Sequence, residues 1–259
     1  MLYIYWMEIK TEFLKLARMR TYTIFTVLFP LMFYCFFGLA MGQQQNMAPQ
    51  PGPNPMPPMA MYLLASYGVF GVIGATLYGF GIGVAVERGL GWLELKRASP
   101  MPAGAYLAAK GVVSLFFGAL VVALLFTLGA VFGDVRMPPL QWLELGATLI
   151  AGAIPFCALG LAIGNSAGPN SASAVVNTIY MPMAFCGGLW IPFDFLPKGI
   201  QHFAPVLPTF HFAQLALAVL HAPIQGSVGT HVEALVAYTL LFSGLASILQ
   251  ARGREKMYG

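Results

Sequence analysis

Six stretches of the chain run with hardly a charge in them: residues 22–41, 59–86, 111–132, 143–164, 173–191 and 232–249. About 20 apolar residues in a helix cross the ~30 Å hydrocarbon core of a bilayer. In lipid, only helices and closed barrels satisfy every backbone polar group. Helix-length segments therefore predict an all-α integral membrane protein with six transmembrane helices. Charged residues make up 8% of the chain and apolar ones 58%, whereas an average soluble domain is about a quarter charged. A soluble fold of this size has too few charges to cover its surface. The second stretch is longer than a crossing needs, which predicts tilt or projection beyond the bilayer. The sixth sits near the lower limit.

The bases set the orientation. Lys10, Lys15, Arg18 and Arg20 precede the first span; Arg88, Lys96, Arg97 and Lys110 follow the second; Arg252, Arg254 and Lys256 follow the last. Eleven of the 13 bases thus fall on one side, leaving Arg136 and Lys198 on the other. The positive-inside rule places both termini and residues 87–110 in the cytoplasm; a plasma (bacterial inner) membrane is the expected location. Spread over segment ends, these bases form no nucleic-acid patch. Glu8 and Glu12 before a full-length apolar run argue for a retained first helix rather than a cleaved signal peptide. Cys35, Cys157 and Cys186 all lie inside apolar segments, which speaks against disulfides and thiolate metal sites.

Three segments lie outside the spans. In residues 1–20, Leu2, Tyr5, Trp6, Ile9, Phe13 and Leu16 share one face of a helix, and Glu8, Thr11, Glu12, Lys15 and Arg18 take the other. That pattern predicts an amphipathic helix lying at the membrane surface; the alternative is a helix packed on another cytoplasmic element. Residues 42–58 carry six prolines and no charge, an external polyproline-like linker; the irregular spacing of Met47, Met56, Met59 and Met61 favours ordinary methionines over a soft-metal site. Between the fifth and sixth spans, residues 192–231 hold Pro192, Pro197, Pro205 and Pro208 and an apolar run, 210–222, too short to cross. Short external re-entrant helices are expected there, buried in protein or lining a cavity.

Motifs for chemistry are sparse. None of the nine acids falls mid-helix, so the midplane carboxylate that a proton-coupled carrier ordinarily uses is missing. Glu144 and Glu233 lie near the external ends of the fourth and sixth spans. His202, His211, His221 and His231 are not spaced as a helical metal pair, and no metal site is expected. No P-loop, G-x-S-x-G or H-E-x-x-H is present.

The densest charge lies in "ERGLGWLELKRASPMPAGAYLAAKG", residues 87–111. Glu87 and Arg88 close the second span. A short helix-capable piece then carries Trp92, Leu93, Lys96 and Arg97, and Ser99 with Pro100 stops it. Such an amphipathic knob suits a groove on a cytoplasmic partner; a plain basic loop on anionic lipid is the other reading.

With the amphipathic leader and "GGLWIPFDFLPKGIQHFAPVLPTFHFAQL" after the fifth span, the chain resembles, over essentially its whole length, the permease subunits of ABC-2 type transporters, the drug and polysaccharide exporter class. The resemblance implies a connecting helix bearing Trp6, Ile9, Phe13 and Leu16. It implies a coupling helix with Glu87, Arg88, Trp92, Leu93, Lys96, Arg97, Ser99 and Pro100, and external re-entrant helices marked by Pro192, Leu196, Pro197 and Pro208. The first, second and fifth spans would line a pathway, with Phe25, Phe29, Phe33, Asn177 and Thr178 as candidate lining residues. Two copies, or one copy and a paralogue, would work with two separate ABC ATPase subunits, which would bind ATP and Mg; the chain itself would hold no cofactor. The rival readings are a stand-alone secondary transporter or channel, and a non-transporting scaffold or enzyme.

Overall fold

The computed structural model describes residues 2–41, 57–102 and 104–258. Most of the proline-rich loop expected at 42–58 lies outside the described residues, as do the side chains of Phe25 and Arg97. Among the described residues the chain is helical throughout, with no strand. In order come α1 (Leu2–Arg18), α2 (residues 20–41), α3 (Met59–Gly89), α4 (Trp92–Ala98), α5 (Ala105–Val131), α6 (Pro139–Ser166), α7 (Ala172–Cys186), α8 (Lys198–Val206), α9 (Pro208–Val219) and α10 (Val228–Tyr258).

Four of these, α3, α5, α6 and the part of α10 up to Arg252, are long and apolar enough to cross a membrane. The count is five if α8 and α9, bent by 93° at Leu207, form one broken span. The expected first and fifth spans hold shorter apolar helices, Thr26–Ala40 and Ala172–Cys186. The fifth loses its final residues for a local reason. Gly188 takes φ +77°, a left-handed turn that glycine adopts without steric cost, and the Thr209 hydroxyl donates to the Met183 carbonyl at 2.7 Å beside it. The other boundaries move outward: α5 starts at Ala105 rather than 111, which puts Lys110 inside the helix, and α3 runs on to Gly89.

α3 is the central element. Of its most apolar stretch 78% is buried, against 11% for α10, which lies at the periphery. Apolar lipid gives helices little hydrophobic reason to associate, so close packing at small residues takes over. A Cβ on Gly160 of α6 would stand 2.8 Å from the Phe80 Cβ and 3.3 Å from the Gly81 nitrogen of α3. One on Gly81 would stand 2.9 Å from Val176 of α7. The backbones touch where α3 widens into π-helical turns at Leu77–Ile82. α2 does the same at Ile24–Leu28. There the cause is Pro30, which brings no N–H and crowds the carbonyl four residues earlier.

Replacing Gly160 by Leu overpacks this contact, so the thermal midpoint of the detergent-solubilised protein should drop, by roughly 1–3 kcal/mol in stability. Gly199→Leu, at a glycine with open space around it, should leave the midpoint unchanged.

Candidate functional site

The 1–20 segment does not merely lie alongside the bundle. The apolar face of α1 packs on α5: Phe13 meets Phe116 edge-on and stacks on Phe117, and Leu16 is buried with Val113 and Phe117, with Ile9 against the same cluster. Leu2, Tyr3 and Trp6 stay exposed at its start. The charged face is also turned inward. Lys110 Nζ of α5 lies 2.7 Å from a Glu12 carboxylate oxygen and 3.0 Å from Glu87. Lys15 pairs with the same two acids. The Tyr106 hydroxyl donates to Glu87 at 2.5 Å.

Two acids and two bases thus make a neutral quartet that joins α1, the end of α3 and the start of α5. Glu12 and Lys110 are almost wholly buried, at 3% and 1% exposed. Buried charges persist only when paired, and removing one partner of a buried pair costs about 3–5 kcal/mol. Burial by itself lowers the Lys15 pKa, but the attraction of Glu12 and Glu87 outweighs it and raises the pKa above its ordinary 10.5. A second tie runs from Glu8 to Lys96 of α4, whose ammonium also sits 4.7 Å from the centre of the Tyr106 ring.

Arg88 faces inward as well. Its guanidinium donates to the Asn165 carbonyl and, at 2.6 Å, to that of Ala167, satisfying carbonyls at the end of α6. Asn165 in turn donates to the Ala246 carbonyl of α10 at 3.0 Å. The sequence reading assigned Glu87, Arg88 and Lys96 to a docking surface; the structure commits them to contacts within the chain. Leu93 packs with Phe80, Val84 and Tyr106. The corner and α4 present a largely apolar surface outward, with Glu94 exposed among it: Leu90, just before α4, and Leu95 are each 67% exposed and Trp92 54%. Ser99 and Pro100 are exposed at its end. Gly91, at φ +73°, makes the left-handed turn that sets α4 off from α3.

Next to this joint lies a groove of about 580 Å³ between α1 and the α3–α4 corner. It shares Met19, Ile82 and Gly83 with a cavity of about 410 Å³ enclosed by α2, α3 and α7. These are the helices expected to line a pathway. Phe29 and Asn177 line the cavity, and the Tyr78 hydroxyl donates to Asn177 Oδ1 at 2.7 Å. Phe33 stands beside it among Phe70, Tyr67 and Trp190. Phe70 stacks on Tyr180, whose hydroxyl donates to the Phe70 carbonyl. Thr178 points away and is exposed. Among the described residues the cavity wall has no acid or base, so it suits an uncharged or aromatic surface.

At the opposite end, Pro192 precedes the short turn Phe193–Phe195, Leu196 is buried, Pro197 precedes α8 and Pro208 opens α9. The Val206 carbonyl accepts from Tyr238, ten residues into α10. His211 and His231, unrelated by spacing, meet with Nδ1 atoms 2.9 Å apart, so one ring nitrogen donates to the other.

Sequence periodicity located the α1 faces but not their destinations. No spacing rule links Glu12 to residues 75 and 98 positions away. The one available sign was Lys110, a lone base beside a long apolar run.

A family model described as "ABC-2 type transporter" matches residues 4–221. The chain belongs to the ABC-2 type transporter family and is a membrane transport permease. It is 29% identical, over 243 residues, to the Bacillus subtilis (strain 168) protein named "Putative transport permease YvfS", covering 93% of this chain and 94% of that one.

Lys110→Met leaves Glu12 and Glu87 buried with only Lys15, and unfolding in detergent should show a loss of about 3–5 kcal/mol. Because the Lys15 pKa is raised on folding, its stabilising contribution is complete below 10.5 and fades as pH climbs through the higher folded value. The melting temperature of the wild type should fall in that alkaline range, and Lys15→Met should lose that part of the decline.

Proposed function

We propose that this permease is the membrane-spanning subunit of an ATP-driven exporter. It works as two copies, or with a paralogue, beside two separate ABC ATPase subunits that hold ATP and Mg. In this reading the basic end faces the cytoplasm, α2 and α7 complete six crossings, and α8 with α9 re-enters from the outside. The charge count of the loops supports the orientation. The depth at which Val206 meets Tyr238 supports the re-entrant path.

One observation carries the proposal. The elements at the basic end are ion-paired into a single unit that shows an apolar knob outward and abuts the cavity inward. Leu90, Trp92 and Leu95 are the residues that a partner groove would bury. A push on the knob passes through α4 to Glu8 of α1 and through the α3 end to the quartet. Breaking the quartet costs more than a local fluctuation supplies, so α1, α3 and α5 move together at that end. The compliance lies farther up, in the π-helical turns of α2 and α3 that flank the cavity. Movement there changes the cavity between α2, α3 and α7, which is the step an alternating pathway requires.

The purified permease should hydrolyse no ATP by itself, and an ABC ATPase co-expressed from the same operon should co-purify with it. Leu95→Glu, which places a charge in the buried contact, should cut that co-purification at least tenfold, while Glu94→Gln, an exposed polar change on the same helix, should not. Unchanged association of Leu95→Glu would reject the knob. Substrate flux in ATPase-free liposomes driven by an ion gradient would reject the pump.

A further inference from the structure

At the end opposite the charged joint, α6 and α10 separate. Near the joint they are tightly held, with Ala246 buried and bonded to Asn165. Farther along, α6 breaks at Gly152 and Ala153. Pro155 withholds an N–H there, and the Phe212 ring of α9 occupies the space a Gly152 side chain would need. Beyond the break the facing sides of α6 and α10 border a groove of about 720 Å³, floored by α9. On α10, Val228, Val232, Val236 and Leu240 line it at four-residue intervals, one face of a helix over about 18 Å. All four are exposed in this chain. α6 supplies Glu144 and Thr148.

The groove has a charged mouth and an apolar length. α6 has 28 residues, about 42 Å of helix, roughly 12 Å more than the hydrocarbon core. Shared between the two ends, that excess sets Glu144, five residues from the helix start, at the boundary between headgroups and acyl chains. No lysine or arginine lines the groove among the described residues. A carboxylate at that depth with hydrocarbon beneath it matches one kind of ligand: a phospholipid carrying an amine in its headgroup. A helix from a second copy fits poorly. Its apolar face would leave Glu144 without a cation at the mouth of the groove.

We propose that this groove is a binding site for an amine-headed phospholipid. The ammonium pairs with Glu144, and an acyl chain lies along Val232, Val236 and Leu240 toward the break at Gly152. The site lies across the bundle from the joint, and it requires only that α6 and α10 span the membrane, so it stands or falls separately from ATPase coupling.

The test is native mass spectrometry of the full-length permease released from nanodiscs of equal phosphatidylethanolamine and phosphatidylglycerol. The wild type should retain phosphatidylethanolamine in preference. Glu144→Gln, a neutral change at an exposed position, should reduce that preference about five-fold, the effect of one charge at a membrane surface. Glu144→Lys should invert it toward phosphatidylglycerol, and Val236→Trp, which fills the groove, should remove both lipids. Equal retention of the two lipids by the wild type, or a preference unmoved by Glu144→Lys, would overturn the proposal. So would disulfide cross-linking of two copies through Val236→Cys.

Discussion

The arrangement at the basic end depends on a charge that lipid and packed protein both reject. Lys110 sits almost wholly buried on α5 and stays there because Glu12 and Glu87 reach it from two other helices. An unpaired ammonium at that place would cost several kcal/mol. The requirement works in both directions: α1 must dock for Lys110 to be satisfied, and α3 must project beyond its apolar stretch to deliver Glu87. Geometry follows from that mutual need. The aromatic contact of Phe13 with Phe116 and Phe117 fixes the side of α5 on which α1 lies, and the ion quartet fixes its register.

Rigid and compliant regions alternate along the molecule. The joint and the Arg88 clamp on the end of α6 bind four elements without any regular hydrogen-bond ladder between them. Next to this rigid end come the π-helical turns of α2 and α3, where backbone hydrogen bonds are already displaced from the usual pattern. The cavity lies between those turns and α7. Rigid joint, compliant turns and cavity follow one another in that order along α3. Leu90, Trp92 and Leu95 are exposed beside this joint, while Arg88 and Lys96 are engaged within the chain.

Part of this cavity's lining was legible in the sequence and part was not. Phe29 and Asn177, expected on a pathway, line the cavity between α2, α3 and α7, and Thr178, exposed on α7, does not. The intrachain contacts of Arg88 and Lys96 were not legible, because exposed charge is the usual fate of a base at a helix end. They turned inward because backbone carbonyls at Asn165 and Ala167, and the Glu8 carboxylate, were within reach. The exposure of Leu95 was not legible for the opposite reason, since an apolar residue in an amphipathic piece ordinarily takes the hidden face.

Sequence alone determined that the chain is helical and lives in a membrane, because the scarcity of charge leaves no other way to satisfy its surface and its backbone. It also located the long apolar helices α3, α5, α6 and α10 to within about two turns of their candidate spans, and showed which end gathers the bases. It did not determine where Glu12, Glu87 and Lys110 would meet, where α7 would stop, or that His211 and His231 would touch. Those follow from contacts between residues far apart in the chain. Helical periodicity reports which face a residue occupies, and only packing decides what that face touches.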